Sequence, residues 1–437
     1  MLMSKKAKMT QLCVISLCYI LTMVLIFCGL YFLMRPTAPT EEETPIISGG
    51  ASGDFLSEVI APAEAQSELR AVWIATVSNI NYPSSRGLTE HTLKEELKSI
   101  VEKTASLGAN AIFFQVRPCG DALYESALFP YSHYVSGKRG SAPDNKTDIL
   151  AELITLAHQR GIAVHAWINP VRVLPGSPAD PARRDELCAW EAAALHPEWA
   201  IVYADGRMYY DIGIPEVRSY IADGVYEIVS QYDVDGVVFD DYFYPYPVYD
   251  TSGSLSLFDD TATYKKYGGK QTLGDFRRES VRSLVRACSI AAKKDDRSVM
   301  FGISPFGVWK NSLSDGGAGT SGLESYYDIY CDSLSFAREG LVDYIAPQLY
   351  WEIGSSTCDY YLLAQWWNKN LAETRCAFIP CLAPYRYEEG RYESGEITRQ
   401  LKYAKTLSAY NGAALYGFSA LCNDSLPVGS EVKAIWK

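Results

Sequence analysis

The stretch VDGVVFDDYFYP, residues 234–245, predicts a β-strand that ends in two neighbouring acidic residues. Asp240 and Asp241 stand where the β-rich run gives way to Tyr and Pro residues, so the chain turns there. Before this run, Pro215 opens a segment whose apolar residues recur at helical spacing, namely Val217, Ile221, Val225 and Ile228. The segment therefore predicts a helix that leads into a strand, the repeating unit of an α/β fold.

Seven other β-rich runs occur along the chain, each separated from the next by enough residues for a crossover helix. With Val234–Asp241 included, the predicted strands are Leu69–Val77, Ala111–Arg117, Ile162–Asn169, Val234–Asp241, Val299–Ser304, Val342–Trp351, Ala377–Leu382 and Ala413–Ser419. Strand and helix alternating eight times predict an α/β protein with a (β/α)8 TIM barrel. A doubly wound sheet is the alternative, but it would need a Gly-rich turn where residues 76–82 read TVSNINY.

The N-terminal segment is predicted to lie outside this barrel. Residues 12–34 carry no charge and follow Lys5, Lys6 and Lys8, and as a helix they would be roughly 34 Å long, enough to cross a bilayer. The lysines predict a cytoplasmic N-terminus and an extracellular barrel, so the protein is expected in the cell membrane. A cleaved signal peptide is the alternative. The predicted organisation is a cytoplasmic tip and anchor at 1–34, a Pro- and acid-rich linker at 35–68, and the barrel at 69–437.

Composition excludes several classes of partner. The 437 residues carry a net charge of −12 with only 40 Lys and Arg, so no basic surface is expected for nucleic acid. Five His residues without a HExxH pair predict no zinc site, and no cofactor is indicated. Eight cysteines lie beyond the anchor without CxxC spacing, which leaves disulfides and free thiols both open. The sequence identifies no protein partner.

Side-chain parity predicts which residues reach the barrel mouth, where TIM-barrel chemistry occurs. If Val237 and Phe239 face the helices, Asp240 faces inward at the carboxyl end of its strand, beside Asp241. The same parity in three other strands predicts inward polar or aromatic residues: Gln115, Arg117, His165, Trp167, Asn169, Gln348, Tyr350 and Glu352. Four strands ending in such residues are typical of an active-site rim.

Structural roles could explain several of these residues one at a time. A strand-end Asp can cap a turn, Arg117 can be a counter-charge to Asp240, and Glu352 can be a solvated loop acid. His165 can be a hydrogen-bonded core residue, and the aromatic residues Trp167, Trp309, Tyr350 and Trp351 can pack in the core or form platforms that stack sugars.

The adjacent carboxyl groups restrict the chemistry. Two close carboxylates repel each other, so one pKa rises and that group keeps a proton while the other stays ionised. Glycosidic bond cleavage needs this division, either directly or through a substrate-assisted route in which the ionised Asp orients a 2-acetamido group. The sequence does not assign the two roles between Asp240 and Asp241.

Seven ordered motifs resemble the family 10 glycosyl-hydrolase-like proteins of bacterial envelopes: LRAVWIATVSNINYP, FFQVRPCGDALYES, AHQRGIAVHAWINPVRV, YYDIGIPEVRSYI, VDGVVFDDYFYP, FGISPFGVWKN and LVDYIAPQLYW. The resemblance implies a (β/α)8 barrel that cleaves glycan strands, with peptidoglycan lacking stem peptides as the substrate in one branch. It implies a catalytic centre at Asp240, Asp241 and Tyr242. The implied groove residues are Arg117, Asp121, Asn169, Arg172, Asp211, Gln348, Tyr350 and Trp351.

The leading hypothesis is therefore an anchored, outward-facing glycosidase that acts on N-acetylated cell-wall glycan through Asp240 and Asp241. One alternative is a barrel that binds wall glycan without cleaving it. Another is a retaining glycosidase on a different polysaccharide, with Asp240 and Glu352 as its carboxyl pair, which would require the two groups to lie about 5 to 5.5 Å apart.

Overall fold

The computed structural model describes residues 68–249, 252–295 and 298–437. The predicted anchor and all of the predicted linker except Glu68 lie outside these residues. Within them, no helix combines the length and the apolar character that a membrane span requires.

Strands and helices alternate along the described chain. The strands are β1 (Leu69–Ile74), β2 (Ala111–Arg117), β3 (Ala163–Ile168), β4 (Arg172–Leu174), β5 (Ala200–Val202), β6 (Met208–Tyr210), β7 (Gly236–Phe239), β8 (Val248–Tyr249), β9 (Leu255–Ser256), β10 (Met300–Ile303), β11 (Tyr344–Ile345), β12 (Ala377–Phe378), β13 (Cys381–Leu382) and β14 (Gly412–Leu415). The helices are α1 (Glu90–Leu107), α2 (His133–Ser136), α3 (Ile149–His158), α4 (Ala192–Leu195), α5 (Pro215–Gln231), α6 (Thr261–Tyr267), α7 (Leu273–Lys293), α8 (Ser333–Arg338), α9 (Tyr360–Leu371), α10 (Glu396–Ala404), α11 (Phe418–Leu421) and α12 (Val428–Trp436).

One parallel sheet organises the molecule. Its strands follow the order β12-β11-β10-β7-β3-β2-β1-β14-β13, so its two edge strands are separated in sequence only by Ile379 and Pro380. Both of these residues bond to neighbouring strands, because Ile379 N donates to Ile345 O at 3.0 Å and Pro380 O accepts from Ala414 N at 3.1 Å. The sheet therefore curls back on itself, which gives an α/β, TIM-like fold. Every predicted barrel strand overlaps at least one strand of this sheet.

The longer helices bury one apolar face, including the face predicted for α5. In α1, the buried residues are Leu93, Leu97, Ile100, Val101, Thr104 and Leu107. The Thr89 side chain caps this helix by accepting a hydrogen bond from Thr92 N, and Gly108 ends it with φ of +81°. Pro215 occupies the first turn of α5, where its missing N–H costs no hydrogen bond.

Aromatic side chains fill the lower barrel interior. The His165 ring takes the space above Gly236, where an added Cβ would lie 2.4 Å from Nδ1, and Tyr344 covers Gly302 in the same way. Above this layer Trp73 and Trp167 meet edge to face, with ring centroids 4.9 Å apart. Because these rings fill the lower interior, the pocket inside the barrel lies at the carboxyl ends of the strands.

A small antiparallel sheet follows the third barrel strand. It has the order β4-β6-β5, and β4 starts at Arg172, three residues after Asn169. Tyr210 N donates to Val171 O at 2.7 Å and Gly120 N donates to Val173 O at 3.1 Å, so this sheet is fixed to the β2 and β3 loops. It carries Arg172 and Arg207 to the barrel mouth.

Candidate active site

A pocket of about 360 Å³ opens at the carboxyl ends of the barrel strands. Its charged residues are Asp240, Asp241, Arg172 and Arg207. The remaining lining residues are Trp73, Val77, Ser78, Ile80, Gln115, Trp167, Tyr242, Tyr246, Ser304, Gln348, Tyr350 and Tyr416. The lining thus combines carboxyl groups, guanidinium groups and aromatic rings, which suits a hydroxylated, flat ligand.

Asp240 is buried and held by three N–H donors. Trp167 Nε1 and Asn169 Nδ2 both donate to Oδ2 at 3.1 Å, and the backbone N–H of Tyr242 donates to Oδ1 at 3.2 Å. Asn169 Oδ1 in turn accepts from Arg172 N at 2.9 Å, which fixes the orientation of the amide. These bonds position the Asp240 carboxyl group at the mouth of the barrel.

Asp241 is buried beside Asp240 and receives a different donor. The Tyr246 hydroxyl donates to its Oδ2. The Tyr246 ring stacks on Tyr242 with centroids 4.9 Å apart and planes 7° from parallel, and the Arg172 guanidinium lies 4.9 Å over the Tyr242 ring. The turn after β7 is therefore a column of two rings and one cation that supports the carboxyl pair.

Burial controls the protonation of the pair. Burial, followed by the charge of Asp241, raises the pKa of Asp240 to about 7, although Arg172 and the Trp167 and Tyr242 N–H groups oppose this shift. Burial also raises the pKa of Asp241, while hydrogen bonding from Tyr246 and Gln348 opposes it. Burial and the neighbouring charge therefore favour the protonated form of Asp240, which suits a pair made of one acid and one carboxylate.

Several predicted site residues meet at this pocket. Besides Asp240 and Asp241, the pocket is lined by Tyr242, Trp167, Arg172, Gln348 and Tyr350. Asn169 reaches it through its bond to Asp240. The Tyr350 ring stacks against Tyr416 with planes 15° from parallel, and its hydroxyl lies 3.2 Å from Cys381 Sγ.

Arg117 does not reach the pocket, so its predicted inward orientation is wrong. Gln115 pairs with Trp167, but the register then shifts and Arg117 pairs with Ile168. This bulge turns Arg117 to the helix-facing side, where its guanidinium lies 3.4 Å over the Phe129 ring. It is fully buried, and its three nitrogens have no hydrogen-bond acceptor among the described residues.

Three other predicted residues also lie away from the pocket. His165 faces the barrel interior but lies below the pocket, its Nδ1 is 2.8 Å from the Tyr344 hydroxyl, and burial lowers its pKa to about 4. Asp121 is buried and accepts from Cys119 N at 3.0 Å, with Arg139 Nη1 at 3.5 Å. Asp211 accepts a hydrogen bond from the Thr263 hydroxyl and lines a separate pocket, and burial raises the pKa of Asp211 to about 6.

The residues after the sixth barrel strand divide according to parity. Tyr350 faces the pocket, whereas Trp351 packs on the opposite side, close to Gly322. Glu352 is exposed and outside the pocket, so the structure does not bring it to Asp240. Trp309 is also outside, where it stacks on Trp366 with centroids 5.6 Å apart.

Several lining residues were not predicted from the sequence. Trp73 and Tyr416 face inward from β1 and from the end of β14, and the parity rule could have found both. Arg207 is different, because it comes from the small antiparallel sheet and no barrel strand predicts its position. No group of three or more His, Cys, Asp or Glu in the described ranges is arranged to hold a metal ion.

Comparison with known sequences gives consistent matches. The family model described as Glycosyl hydrolase-like 10 matches residues 68–393. The chain is 36% identical over 386 residues to Glycosyl hydrolase YngK of Bacillus subtilis (strain 168), which covers 86% of this chain and 73% of that protein. It is also 36% identical over 339 residues to Glycosyl hydrolase DigH of Escherichia coli (strain K12), which covers 75% of each.

Solved structures with a similar fold include the glycoside hydrolase domain of PgaB (BpsB) from Bordetella bronchiseptica. The TM-score is 0.51 at 14% identity, with 85% of this chain and 98% of that chain covered. Alpha-L-fucosidase isoenzyme 2 from Paenibacillus thiaminolyticus gives a TM-score of 0.50 at 12% identity, with 84% and 49% covered. At these identities the similarity concerns the fold alone.

Proposed function

The chain belongs to the glycosyl hydrolase-like 10 family, and we propose that it is a glycosidase that cleaves N-acetylated peptidoglycan strands lacking stem peptides. Family membership confirms the resemblance seen in the sequence motifs. Family and fold support a hydrolase-like role on glycans, and the substrate and the catalytic residues are our proposal.

One observation carries the catalytic assignment: two buried carboxyl groups, Asp240 and Asp241, lie side by side at the mouth of a TIM-like barrel. Burial raises the pKa of both groups, and the charge of Asp241 raises that of Asp240 further, which favours one protonated and one ionised carboxyl group. The three N–H donors on Asp240 and the Tyr246 hydroxyl on Asp241 fix both groups before substrate arrives. Preorganised acid and carboxylate groups are what glycosidic cleavage requires.

In the proposed reaction, the protonated carboxyl group of the pair donates its proton to the glycosidic oxygen as the bond to the anomeric carbon breaks. The ionised carboxylate orients the 2-acetamido group of the same sugar, whose carbonyl oxygen attacks the anomeric carbon. Water then opens the resulting ring, and the group that gave up its proton accepts one from that water. Tyr242 supports the pair by stacking on Tyr246 and donating its N–H to Asp240.

Aromatic residues around the pair are proposed to hold the sugar rings. Trp73, Trp167, Tyr350 and Tyr416 line the pocket beside the carboxyl groups. Pyranose rings stack well on such side chains, because the ring C–H groups meet the aromatic faces. Gln348, whose Nε2 donates to Ser304 O at 3.2 Å, supplies a polar edge beside Asp241.

The cellular location is also a proposal. The uncharged run at residues 12–34 and the preceding lysines support an anchor that holds the barrel outside the cell membrane. This position would give the active site direct access to wall glycan.

The test of the substrate class is mass spectrometry of products released by the full-length protein, purified in detergent. We expect defined strands without stem peptides to yield fragments with new reducing ends, and peptide-bearing strands to yield far fewer. Tight binding of the strands with no new reducing ends would contradict the proposal and favour a barrel that only binds glycan.

A further inference from the structure

Two guanidinium groups line the pocket of a protein whose net charge is −12. Arg172 and Arg207 both come from the small antiparallel sheet at the barrel mouth, Arg172 from β4 and Arg207 from the turn before β6. Burying or positioning a guanidinium requires compensation, so each should have a counterpart. The two residues differ in how far the protein itself supplies that counterpart.

The Arg172 guanidinium already has its partners within the protein. It is buried, its Nε and Nη2 donate to Pro118 O at 3.1 and 2.7 Å, and its guanidinium covers the Tyr242 ring. Its positive charge also opposes the raised pKa values of Asp240 and Asp241. Arg172 therefore supports the carboxyl pair.

The Arg207 guanidinium donates to one carboxylate of the protein and has further N–H groups that could bind a ligand. Its Nη1 donates to Asp205 Oδ2 at 3.0 Å, and Asp205 also accepts from Arg207 N and from the Tyr209 hydroxyl. Within the described ranges, Nε and Nη2 of Arg207 donate to no acceptor, and 39% of the side chain is exposed. The Nε and Nη2 edge of a guanidinium binds a carboxylate through two parallel hydrogen bonds.

We propose that Arg207 is a specificity residue that binds a carboxylate carried by the glycan, and this inference rests on the proposed function. In peptidoglycan, the lactyl ether of muramic acid is a free carboxylate only when the stem peptide is absent. A stem peptide converts this group into an amide, which removes the charge that Arg207 would pair with. The preference for strands without peptides then has a physical cause at a named side chain.

The substrate must reach both Arg207 and the carboxyl pair. Both line the same pocket, and Tyr242, whose N–H donates to Asp240, lines it as well. A sugar whose acetamido group lies at the pair can therefore place a neighbouring carboxylate at Arg207.

The experiment measures equilibrium binding to the full-length Asp240→Asn protein, with and without Arg207→Ala. The probes are strands without stem peptides, the same strands with methyl-esterified lactyl groups, chitin oligosaccharides and hyaluronan oligosaccharides. We expect Arg207→Ala to weaken binding of the unmodified strands about 10- to 100-fold. Binding of the esterified strands and of chitin should change less than about twofold. Arg207→Lys should restore part of the lost affinity, because lysine keeps the positive charge but lacks the two parallel N–H donors of the guanidinium.

Arg183→Ala is the matched control, since Arg183 lies before β5, forms ion pairs with Asp180, Asp185 and Glu186, and is outside the pocket. Equal losses for unmodified and esterified strands, or no loss for either, would overturn the proposal. Stronger binding of hyaluronan than of the unmodified strands would overturn the lactyl group as the source of the carboxylate. Failure of the proposed function would be seen separately, as an absence of new reducing ends from the wild-type protein.

Discussion

The Tyr246 hydroxyl donates a hydrogen bond to Asp241 Oδ2, five residues earlier in the chain. This bond favours the ionised form of Asp241 and so opposes the effect of burial on its pKa. Because the Tyr246 ring stacks on Tyr242, whose N–H donates to Asp240, one turn links both carboxyl groups. Protonation and position of the pair are therefore coupled through this turn.

Tyr246→Phe should remove the hydroxyl and keep the stacked ring. The pKa of Asp241 should then rise, so the acidic limb of the kcat profile should move to higher pH, and kcat near neutral pH should fall roughly tenfold. The measurement is a pH–rate profile on strands without stem peptides. Tyr264→Phe is the control, because the Tyr264 hydroxyl donates a hydrogen bond to Gln271 O outside the pocket. An unmoved profile would show that Tyr246 has no influence on the pair.

Trp167→Phe should remove the Nε1–H donor from Asp240 and keep an aromatic ring. Loss of a charge-assisted hydrogen bond should raise the pKa of Asp240 further and lower kcat about 10- to 100-fold. Kinetics and carboxyl titration by NMR would measure these two effects. Trp366→Phe, outside the pocket, should change neither, and similar effects in both variants would indicate a general loss of packing.

Asp240→Asn should change how stability depends on pH. The folded-state pKa of Asp240 is raised, so its ionisation as pH rises from about 4 towards 7 disfavours the folded state. The Asn side chain cannot ionise. The free energy of unfolding of the variant, relative to that of the wild type, should therefore increase by roughly 2–4 kcal/mol between pH 4 and pH 8. Urea unfolding at several pH values measures this difference. Parallel curves for the two proteins would contradict the raised pKa.

Glu352→Gln should leave kcat and KM within about twofold of wild type, since surface substitutions away from a site have small effects. Glu352 is exposed and outside the pocket, so it cannot serve as the partner of Asp240 in a retaining mechanism. Steady-state kinetics on the same strands would measure it. A loss of 100-fold or more would restore the Asp240 and Glu352 pair as the catalytic arrangement.

Parity within regular strands predicted much of this site. Val237 and Phe239 face the helices, and Val238 and Asp240 face inward, because alternation holds along β7. The same rule fails at Arg117, where a bulge that no residue in FFQVRP signals reverses the side. The parity rule makes no prediction for Arg207, because the position of the small antiparallel sheet depends on tertiary contacts to the β2 and β3 loops.

The motif resemblance and the geometry disagree at three buried charges. Asp121 is paired with Arg139, Asp211 bonds Thr263 in a second pocket, and Arg117 lies beneath α5 against Phe129. A sequence motif identifies such residues without showing whether they contact a ligand or hold the loops that do. Burial and hydrogen-bond partners make that distinction here, and they favour structural roles for Asp121 and Asp211.

The most direct test of the central claim compares the rate of reducing-end release by the wild-type, Asp240→Asn and Asp241→Asn proteins on strands without stem peptides. We predict that each substitution lowers kcat by at least about a thousandfold, because each removes one of the two groups that the reaction requires. Melting temperatures measured in parallel should show that both variants fold. Wild-type rates in both folded variants would contradict the assignment of Asp240 and Asp241 as the catalytic pair.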